Sequence, residues 1–295
     1  MSGSAEVRCL NIGGELDTKE WLEGELHSCF ENAVNYLLRT PKGPRMLTFL
    51  KEGMPLLPDS VVVSREFFSR IKVQENYDII KKDCHIRVGR LEMVLDGQEA
   101  RDLHIWRKQK AAGYACVMEL PRKKRQLEEY LEREEGETRS DLYRLPARYR
   151  QAITELAEAF YSGRKEEALY WFERAAGAGR GLTPACDDAV IGMMAVMGVF
   201  LAGFKEEGEN RYRDIVGELE ALLDRKELTT QVSRKYLQCA CQGRFAQPLC
   251  VLAEWLIEDG EEIPEKALGQ ILQTGHTSGR DMLYGVLTAM ERISE

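Results

Sequence analysis

The sequence predicts an α+β protein in which a β-rich N-terminal domain, residues 1–120, precedes an all-helical C-terminal domain, residues 147–295. Two observations predict this division. Short segments rich in strand-forming residues, separated by turn signals, fill the first part of the chain. After Pro146, apolar residues recur at the three- and four-residue spacing of amphipathic helices. The charge-dense residues 121–146 between the two are interpreted as a charged helical connector.

Four short segments of the N-terminal domain carry the strand signal. They are residues 46–50 (MLTFL), 60–64 (SVVVS), 84–88 (CHIRV) and 91–95 (LEMVL). Their regular spacing favours a small sheet or a partly closed barrel. We predict that Cys29–Leu38 forms a helix packed against this sheet.

The connector contains the segment Arg122–Arg139, RKKRQLEEYLEREEGETR. Its basic residues come first and its acidic residues follow, which is the unfavourable order for a helix dipole. We interpret this segment as a solvated connecting helix rather than as a docking surface.

Helical periodicity predicts helices at residues 149–161, 165–176, 214–223, 232–241 and 248–257. The apolar run Ala189–Phe204 is different, because it has no polar face. Its 16 residues fall short of the roughly 20 that a membrane span needs. We therefore predict a buried central helix and no membrane partner.

Composition narrows the function classes. The chain has 295 residues, 44% of them hydrophobic and 31% charged, and a net charge of −8. This charge disfavours nonspecific binding to nucleic acid, which needs clustered Lys and Arg. The N-terminal segment is not that of a signal peptide, and the eight cysteines include no CxxC pair. We expect reduced thiols, no zinc site and a cytoplasmic location.

The glycine-rich segment 177–188, GAGRGLTPACDD, is the strongest local motif. Its alternating glycines, Gly179 and Gly181 among them, let backbone amides approach a ligand. Thr183 is a candidate N-cap, with Pro184 at the first helical position. A helix N-terminus of this kind suits phosphate or carboxylate. The alternative is an interhelical turn whose glycines only permit close packing.

A second segment, residues 275–281 (GHTSGRD), repeats this scheme. Thr183 and Asp187 have the same Thr-x-x-x-Asp spacing as Thr277 and Asp281, and each pair opens an apolar run. We predict that both segments begin helices whose N-termini lie within about 10 Å, one helix diameter, and form one anion-binding site. Thr230, at a third helix start, is a further candidate.

The remaining candidate residues would supply charge and proton transfer. His276 could act as a general base or an oxyanion donor, or it could be a loop histidine bonded to backbone. Arg180 and Arg280 could pair with a planar anion, although Arg280 could equally pair with Asp187 or Asp188. The two aspartates leave Mg²⁺ open as a cofactor. Cys186 is interpreted as a packing residue rather than a reactive thiol.

These segments resemble the AllH-like family, formerly a domain of unknown function. GAGRGLTPACDDAVIGMM is similar to the family pattern GxGxGLTPSGDDxLxG, TTQVSRKYLQCACQGRF to TTxVSxxxLxxAxxG, and GHTSGRDMLYGVL to GHTSGxDxLxG. The N-terminal MLTFLKEGMPLLPDSVVVS resembles the family more loosely. The resemblance implies a set of site residues, namely Gly179, Gly181, Thr183, Asp187, Asp188, Thr230, His276, Thr277, Ser278 and Asp281.

The resemblance also implies a function. The family includes a subunit of oxamate carbamoyltransferase, which acts with other subunits in allantoin and purine catabolism. That enzyme exchanges a carbamoyl group between oxalurate and phosphate, and its substrates are small anions, as the motifs suggest. This chain departs from the pattern, since Ala185-Cys186 stands where the family has Ser-Gly. This departure leaves a non-catalytic anion-binding scaffold or sensor open as an alternative. A Mg²⁺-dependent phosphohydrolase is a third interpretation, which rests on the aspartate pair Asp187-Asp188 alone.

Overall fold

The computed structural model of this chain describes residues 5–6, 8–13, 22–41, 43–71, 78–82, 84–95, 100–105, 114–134, 139–201, 205–258, 260 and 262–295. It divides into two compact units, residues 1–103 and residues 104–295. The first unit contains the strands and the second contains nine of the helices described below. The predicted α+β class is therefore confirmed. The finer boundaries at residues 120 and 146 stay a prediction.

The first unit is built on one ten-stranded sheet with the order β1-β9-β8-β7-β3-β4-β5-β6-β2-β10. Its strands are β1 (Ala5–Glu6), β2 (Cys9–Gly13), β3 (Leu22–Cys29), β4 (Ala33–Thr40), β5 (Gly43–Lys51), β6 (Ser60–Val63), β7 (Ile79–Lys82), β8 (His85–Val88), β9 (Leu91–Val94) and β10 (Ala100–Arg101). The central strands β3, β4 and β5 run antiparallel, and β6 joins β5 in parallel. All four predicted strands are confirmed, within a larger sheet than predicted.

The predicted helix Cys29–Leu38 is wrong. Cys29 ends β3, and the following residues turn into β4, which pairs with β3 on one side and β5 on the other. Val34, Tyr36 and Leu38 are buried at every second position, which is the period of a strand. Pairing on both sides satisfies the backbone of this segment along the whole strand, so tertiary context decides its conformation.

The core of the first unit lies on the sheet and beneath a short helix, α1 (Arg65–Arg70). The ring of Phe67 on α1 lies 5.0 Å from that of Phe49 on β5, and Phe49 lies 5.7 Å edge-on from Tyr36 on β4. These three aromatic residues are fully buried. Edge-to-face and tilted contacts of this kind fix the orientation of the helix on the sheet.

The second unit is helical. Its helices are α2 (Tyr114–Arg133), α3 (Ala147–Tyr161), α4 (Lys165–Ala175), α5 (Ala185–Leu201), α6 (Lys205–Arg225), α7 (Gln231–Cys241), α8 (Gln247–Ile257), α9 (Glu265–Leu272) and α10 (Ser278–Ser294), with a 3₁₀ helix at Asp141–Tyr143. The five helices predicted from periodicity all form, and α6 begins nine residues before the predicted start at Asp214. None of the helices in the described part of the chain is long and apolar enough to cross a membrane.

Helix α5 is the centre of the second unit, as predicted. All its residues from Ala185 to Phe200 are buried. Its closest neighbour is α10, and glycines permit their contact. A Cβ atom at Gly192 would lie 2.0 Å from the carbonyl oxygen of Met282, and one at Gly285 would lie 1.8 Å from that of Ala189. Only glycine fits at either position, so the two backbones meet directly.

Helix α2, predicted as a solvated helix, is solvated on one face only. Leu120, Leu127 and Tyr130 are buried on the other. The Lys123 ammonium is also buried, and it donates to the carbonyl oxygens of Trp255 and Glu258, each at 2.6 Å. It thereby satisfies orphan carbonyls at the C-terminus of α8, where a cation is also favoured by the helix dipole.

Candidate functional site

The glycine-rich loop that leads into α5 is held in conformations that favour glycine. Gly177, Gly179 and Gly181 have φ values of 75°, 135° and 86°. A Cβ atom at Gly177 would lie 2.3 Å from the carbonyl oxygen of Leu228, and one at Gly179 would lie 2.3 Å from the amide nitrogen of Ala185. The space beside Gly181 is open. Gly177 and Gly179 therefore allow close backbone packing, whereas Gly181 leaves one side of the loop open to an approaching ligand.

Asp187 ties this loop to α7. Its side chain is fully buried and accepts hydrogen bonds from the Gly177 amide at 2.8 Å, from the Ser233 hydroxyl at 2.6 Å and from the Thr229 hydroxyl. Burial raises the pKa of Asp187, and these three donors oppose the rise. A carboxylate with three donors acts here as a structural anchor for the loop.

The starts of α5 and α10 meet through a pair of hydroxyl groups. The Thr183 hydroxyl lies 3.0 Å from that of Ser278, the first residue of α10. The two Thr-x-x-x-Asp segments therefore begin helices at one place, and this geometric prediction is confirmed. Thr230 joins the same region from α7, because its hydroxyl donates to the carbonyl of Leu182 in the loop.

The predicted caps are only partly correct. Thr230 caps α7, since its hydroxyl accepts from the amide of Ser233 at 3.1 Å. Thr277 precedes α10 without a side-chain cap hydrogen bond. Helix α5 begins at Ala185, one residue after Pro184, so Thr183 is not its N-cap. The hydroxyl of Thr183 bonds to the neighbouring helix instead of to its own.

The amides of the first turn of α5 are less available than the motif predicts. The amide of Cys186 donates to the carbonyl of Ala178 at 3.0 Å, and those of Asp187 and Asp188 donate to that of Pro184. The loop folds back on α5, and its carbonyl groups accept hydrogen bonds from some of the N–H groups that would otherwise be unpaired at the start of that helix. A ligand at this place would therefore meet the hydroxyl pair and the open side of the loop.

Asp188 lies at the same helix start, but its side chain lacks the anchoring hydrogen bonds that Asp187 has. Its side chain is buried, and neither carboxyl oxygen has a hydrogen-bond partner of good geometry among the described residues, although the hydroxyls of Ser278 and Thr183 are near enough to act on it as donors. Burial raises the pKa of Asp188 well above its usual range, and Asp281 and Asp187 add to the rise. The nearby hydroxyls of Ser278 and Thr183 act in the opposite direction. The protonated form of Asp188 is therefore strongly favoured in comparison with an exposed aspartate.

Asp281, on the first turn of α10, is anchored from a distant part of the chain. Its Oδ1 accepts from the Ser140 hydroxyl at 2.6 Å, just before the 3₁₀ helix. Burial raises its pKa, against the hydrogen bonds from Ser140 and the Leu142 amide. Asp281 therefore fixes α10 to the segment that follows α2.

The candidate cations and the histidine lie at the surface of this region. Arg280 donates from Nη2 to the carbonyl of Glu134 at 2.8 Å, and no ion pair joins it to Asp187 or Asp188 in the described structure. Arg180 is exposed beside Gly181 in the loop, and His276 is exposed just before α10. Arg180 is thus better exposed to an approaching anion than Arg280 is.

Two further expectations concern sulfur and metal. Cys186 is buried, and burial raises the pKa of its thiol to about 12, which agrees with a packing role. Across the described ranges, no group of three or more His, Cys, Asp or Glu side chains is arranged to hold a metal ion.

The sequence indicates Thr229–Ser233 as a third candidate helix start, but it does not predict that the hydroxyls of Thr229 and Ser233 bind Asp187, or that Ser140 binds Asp281. The first two belong to the TTQVS segment, where two hydroxyls flank the chosen Thr230. Nothing local to Ser140 indicates its contact with a residue 141 positions away. Long-range partners of this type become visible only in the fold.

Two family profiles match the chain. The profile of oxamate carbamoyltransferase subunit AllH matches residues 175–290, and that of the AllH family N-terminal domain matches residues 4–102. The first range contains the glycine-rich loop, α7 and the start of α10, so the matched segment includes most of the contacts described above. No solved structure matches the chain.

Proposed function

Since the chain belongs to the AllH family, we propose that it acts as a cytoplasmic subunit of an oxamate carbamoyltransferase. The reaction moves a carbamoyl group from the nitrogen of oxalurate to an oxygen of phosphate. The C–N bond to oxalurate breaks, an O–C bond to phosphate forms, and the oxamate nitrogen receives the proton that phosphate gives up. Both the substrates and the products are anions, so the binding site must supply donors and positive charge.

The observation that carries this proposal is the Thr183–Ser278 contact, which brings the starts of α5 and α10 together. The open side of the loop at Gly181 lies in the same segment, with Arg180 beside it. In this proposal the hydroxyl pair and the loop bind the anion, and Arg180 neutralises it. His276 polarises or protonates the transferred group. Asp187 and Asp281 hold the three helix starts in position.

The test uses two glycines in the same backbone conformation. Gly181 and Gly53 both have positive φ, 86° and 93°, and both face open space. Gly181→Val and Gly53→Val therefore impose similar backbone strain, but only the first obstructs the proposed site. With partner subunits supplied, we expect Gly181→Val to lower carbamoyl phosphate formation from oxalurate and phosphate by at least about tenfold, a loss of roughly 1.4 kcal/mol in transition-state binding.

Stabilisation by oxamate gives a second measurement on the isolated chain. A ligand that binds the folded state raises the melting temperature, and we expect this for the native protein and for Gly53→Val but not for Gly181→Val. Equal stabilisation of both variants would place the anion elsewhere and refute this site.

A second candidate, a non-catalytic anion-binding scaffold or sensor, is favoured by one feature. Ala185 and Cys186 replace the Ser-Gly of the family pattern, and both side chains are buried at the start of α5. This exchange removes a hydroxyl from the site. Oxamate binding without any turnover in the presence of the partner subunits would support this function instead.

A further inference from the structure

The hydroxyl pair Thr183–Ser278 contains two protons, and the hydrogen bond between the two oxygens uses one of them. The second proton is available to another acceptor. One candidate acceptor is the buried carboxyl group of Asp188, on which both hydroxyls act as hydrogen-bond donors. Neither carboxyl oxygen of Asp188 has a well-placed hydrogen-bond partner elsewhere in the described residues. The direction in which this second proton points therefore depends on Asp188.

The two protonation states of Asp188 have opposite consequences. An ionised carboxylate can only accept hydrogen bonds, so it draws the second proton inward and leaves oxygen lone pairs on the outer side of the pair. A protonated carboxyl donates its own proton to the pair, and the second hydroxyl proton is then free to point outward. An anion needs donors, so it favours the second arrangement.

We propose that Asp188 is a positioning residue for anion binding, which acts through the Thr183–Ser278 pair, so that an anion binds together with one proton on Asp188. This inference rests on the proposed function, since it assigns the bound anion to the same site. The step is a simple proton uptake from water, and no covalent bond in the ligand changes.

The surroundings of Asp188 support such coupling. Asp281 faces it from α10 and Asp187 from its own helix, and both carboxyl groups disfavour a further negative charge. The neighbouring Cys186 thiol stays neutral because burial raises its pKa to about 12. The Ser233 hydroxyl on α7 already donates its hydrogen bond to Asp187, and the Ser140 hydroxyl donates its own to Asp281. These donors are therefore engaged elsewhere, and the hydroxyl pair is the contact through which Asp188 acts.

The test is isothermal titration of the full chain with oxamate between about pH 5 and 9 in buffers of different ionisation enthalpy. The oxamate carboxylate stays ionised throughout, so it contributes no proton of its own. In the native protein we expect Kd to rise about tenfold per pH unit above the pKa of Asp188, as one-proton linkage requires. The heat of binding should vary with the buffer, which reports proton uptake.

Asp188→Asn is the decisive variant, because its neutral amide can donate as the protonated carboxyl does. We expect it to bind oxamate with a Kd independent of pH and without proton uptake. The matched control is Asp224→Asn on α6, an exposed residue that accepts from Gln238 and can still do so as asparagine. This control should keep the full pH dependence.

Variants of the hydroxyl pair give an independent check should Asp188→Asn fail to fold. Thr183→Ser keeps the hydroxyl and should keep the pH dependence, whereas Thr183→Val should lose affinity at all pH values. A slope that persists in Asp188→Asn overturns the inference. Binding of oxamate to the native protein without any pH dependence also overturns it but leaves the proposed function standing. An absence of binding refutes both.

Discussion

At the scale of single residues, the buried aspartates Asp187, Asp188 and Asp281 at the candidate site have different roles. Asp187 and Asp281 accept hydrogen bonds and fix the backbone around them. Asp188 has no such partner among the described residues. A buried polar group without a well-placed partner costs stability. Its place beside the hydroxyl pair offers a functional account.

These carboxyl groups predict an unusual dependence of stability on pH. The native pKa values of Asp187, Asp188 and Asp281 are raised, with burial as the largest cause. The folded state therefore binds more protons than the unfolded state, and stability falls as pH rises. The loss begins near the ordinary aspartate pKa of 3.8 and is complete above the raised native values. We expect the free energy of unfolding in urea to decrease from about pH 5 to pH 8.

Asp188→Asn should remove the largest single part of this dependence. Its stability relative to the native protein should increase with pH, and it should be more stable than the native protein at pH 8. Asp224→Asn on the surface should show a constant difference. Glu158 acts in the other direction, because its hydrogen bond from Ser162 lowers its pKa, but its effect lies at more acidic pH. A native protein whose stability rises between pH 5 and 8 would contradict the prediction.

At the scale of secondary structure, the contact between α5 and α10 decides where the candidate site forms. Gly192 and Gly285 allow the two backbones to touch, and the hydroxyl contact lies at the beginning of both helices. The helices cannot separate without breaking that contact. Gly192 and Gly285 therefore help to position the candidate site, although they do not lie in it.

Two glycine-to-alanine changes test this contact. Gly285→Ala would place a methyl group 1.8 Å from the carbonyl of Ala189, and we expect overpacking of this kind to cost about 1–3 kcal/mol. Gly217→Ala on α6 meets open space and should stabilise the protein by up to ~1 kcal/mol through helix propensity. Urea unfolding measures both. Equal effects of the two changes would show that the α5–α10 contact can adapt.

The sequence predicts some of these secondary-structure elements and contacts but not others. Five helices of the second unit, α3, α4, α6, α7 and α8, are amphipathic, so their periodicity predicts them, and the apolar run of α5 predicts its burial. Helix α9 was not predicted. The repeated Thr-x-x-x-Asp spacing also predicted that the starts of α5 and α10 meet. Cys29–Leu38 was misassigned because its strand conformation depends on partners on both sides. The division of roles between Asp187 and Asp188 depends on Gly177, Thr229 and Ser233, which no local pattern connects to them.

At the scale of the whole molecule, the chain forms two compact units, residues 1–103 and residues 104–295. The sheet unit has a core of its own made of residues from Cys9 to Leu95. The helical unit has its own core around α5. All the described contacts of the candidate site, from Ser140 to Asp281, lie inside residues 104–295.

We therefore expect residues 104–295 to fold when expressed alone and to keep the stabilisation by oxamate. Circular dichroism should show a mainly helical fragment with one cooperative thermal transition. Residues 1–103, prepared as the control, should give a strand spectrum and no response to oxamate. A helical fragment that is folded but no longer responds to oxamate would mean that the first unit contributes to binding.

The glycine contacts between α5 and α10 have a further consequence. The hydrogen of Gly285 that stands where a Cβ would be points at the Ala189 carbonyl, and that of Gly192 points at the Met282 carbonyl. Such Cα–H···O contacts are weak hydrogen bonds, worth about 0.5–1 kcal/mol each. Main chain therefore meets main chain, in the manner of the small-residue crossings that hold helices together in lipid. The spacing of the two helix starts is thus a property of the backbone, and side chains around the Thr183–Ser278 pair can be exchanged for new ligand chemistry while that spacing is kept.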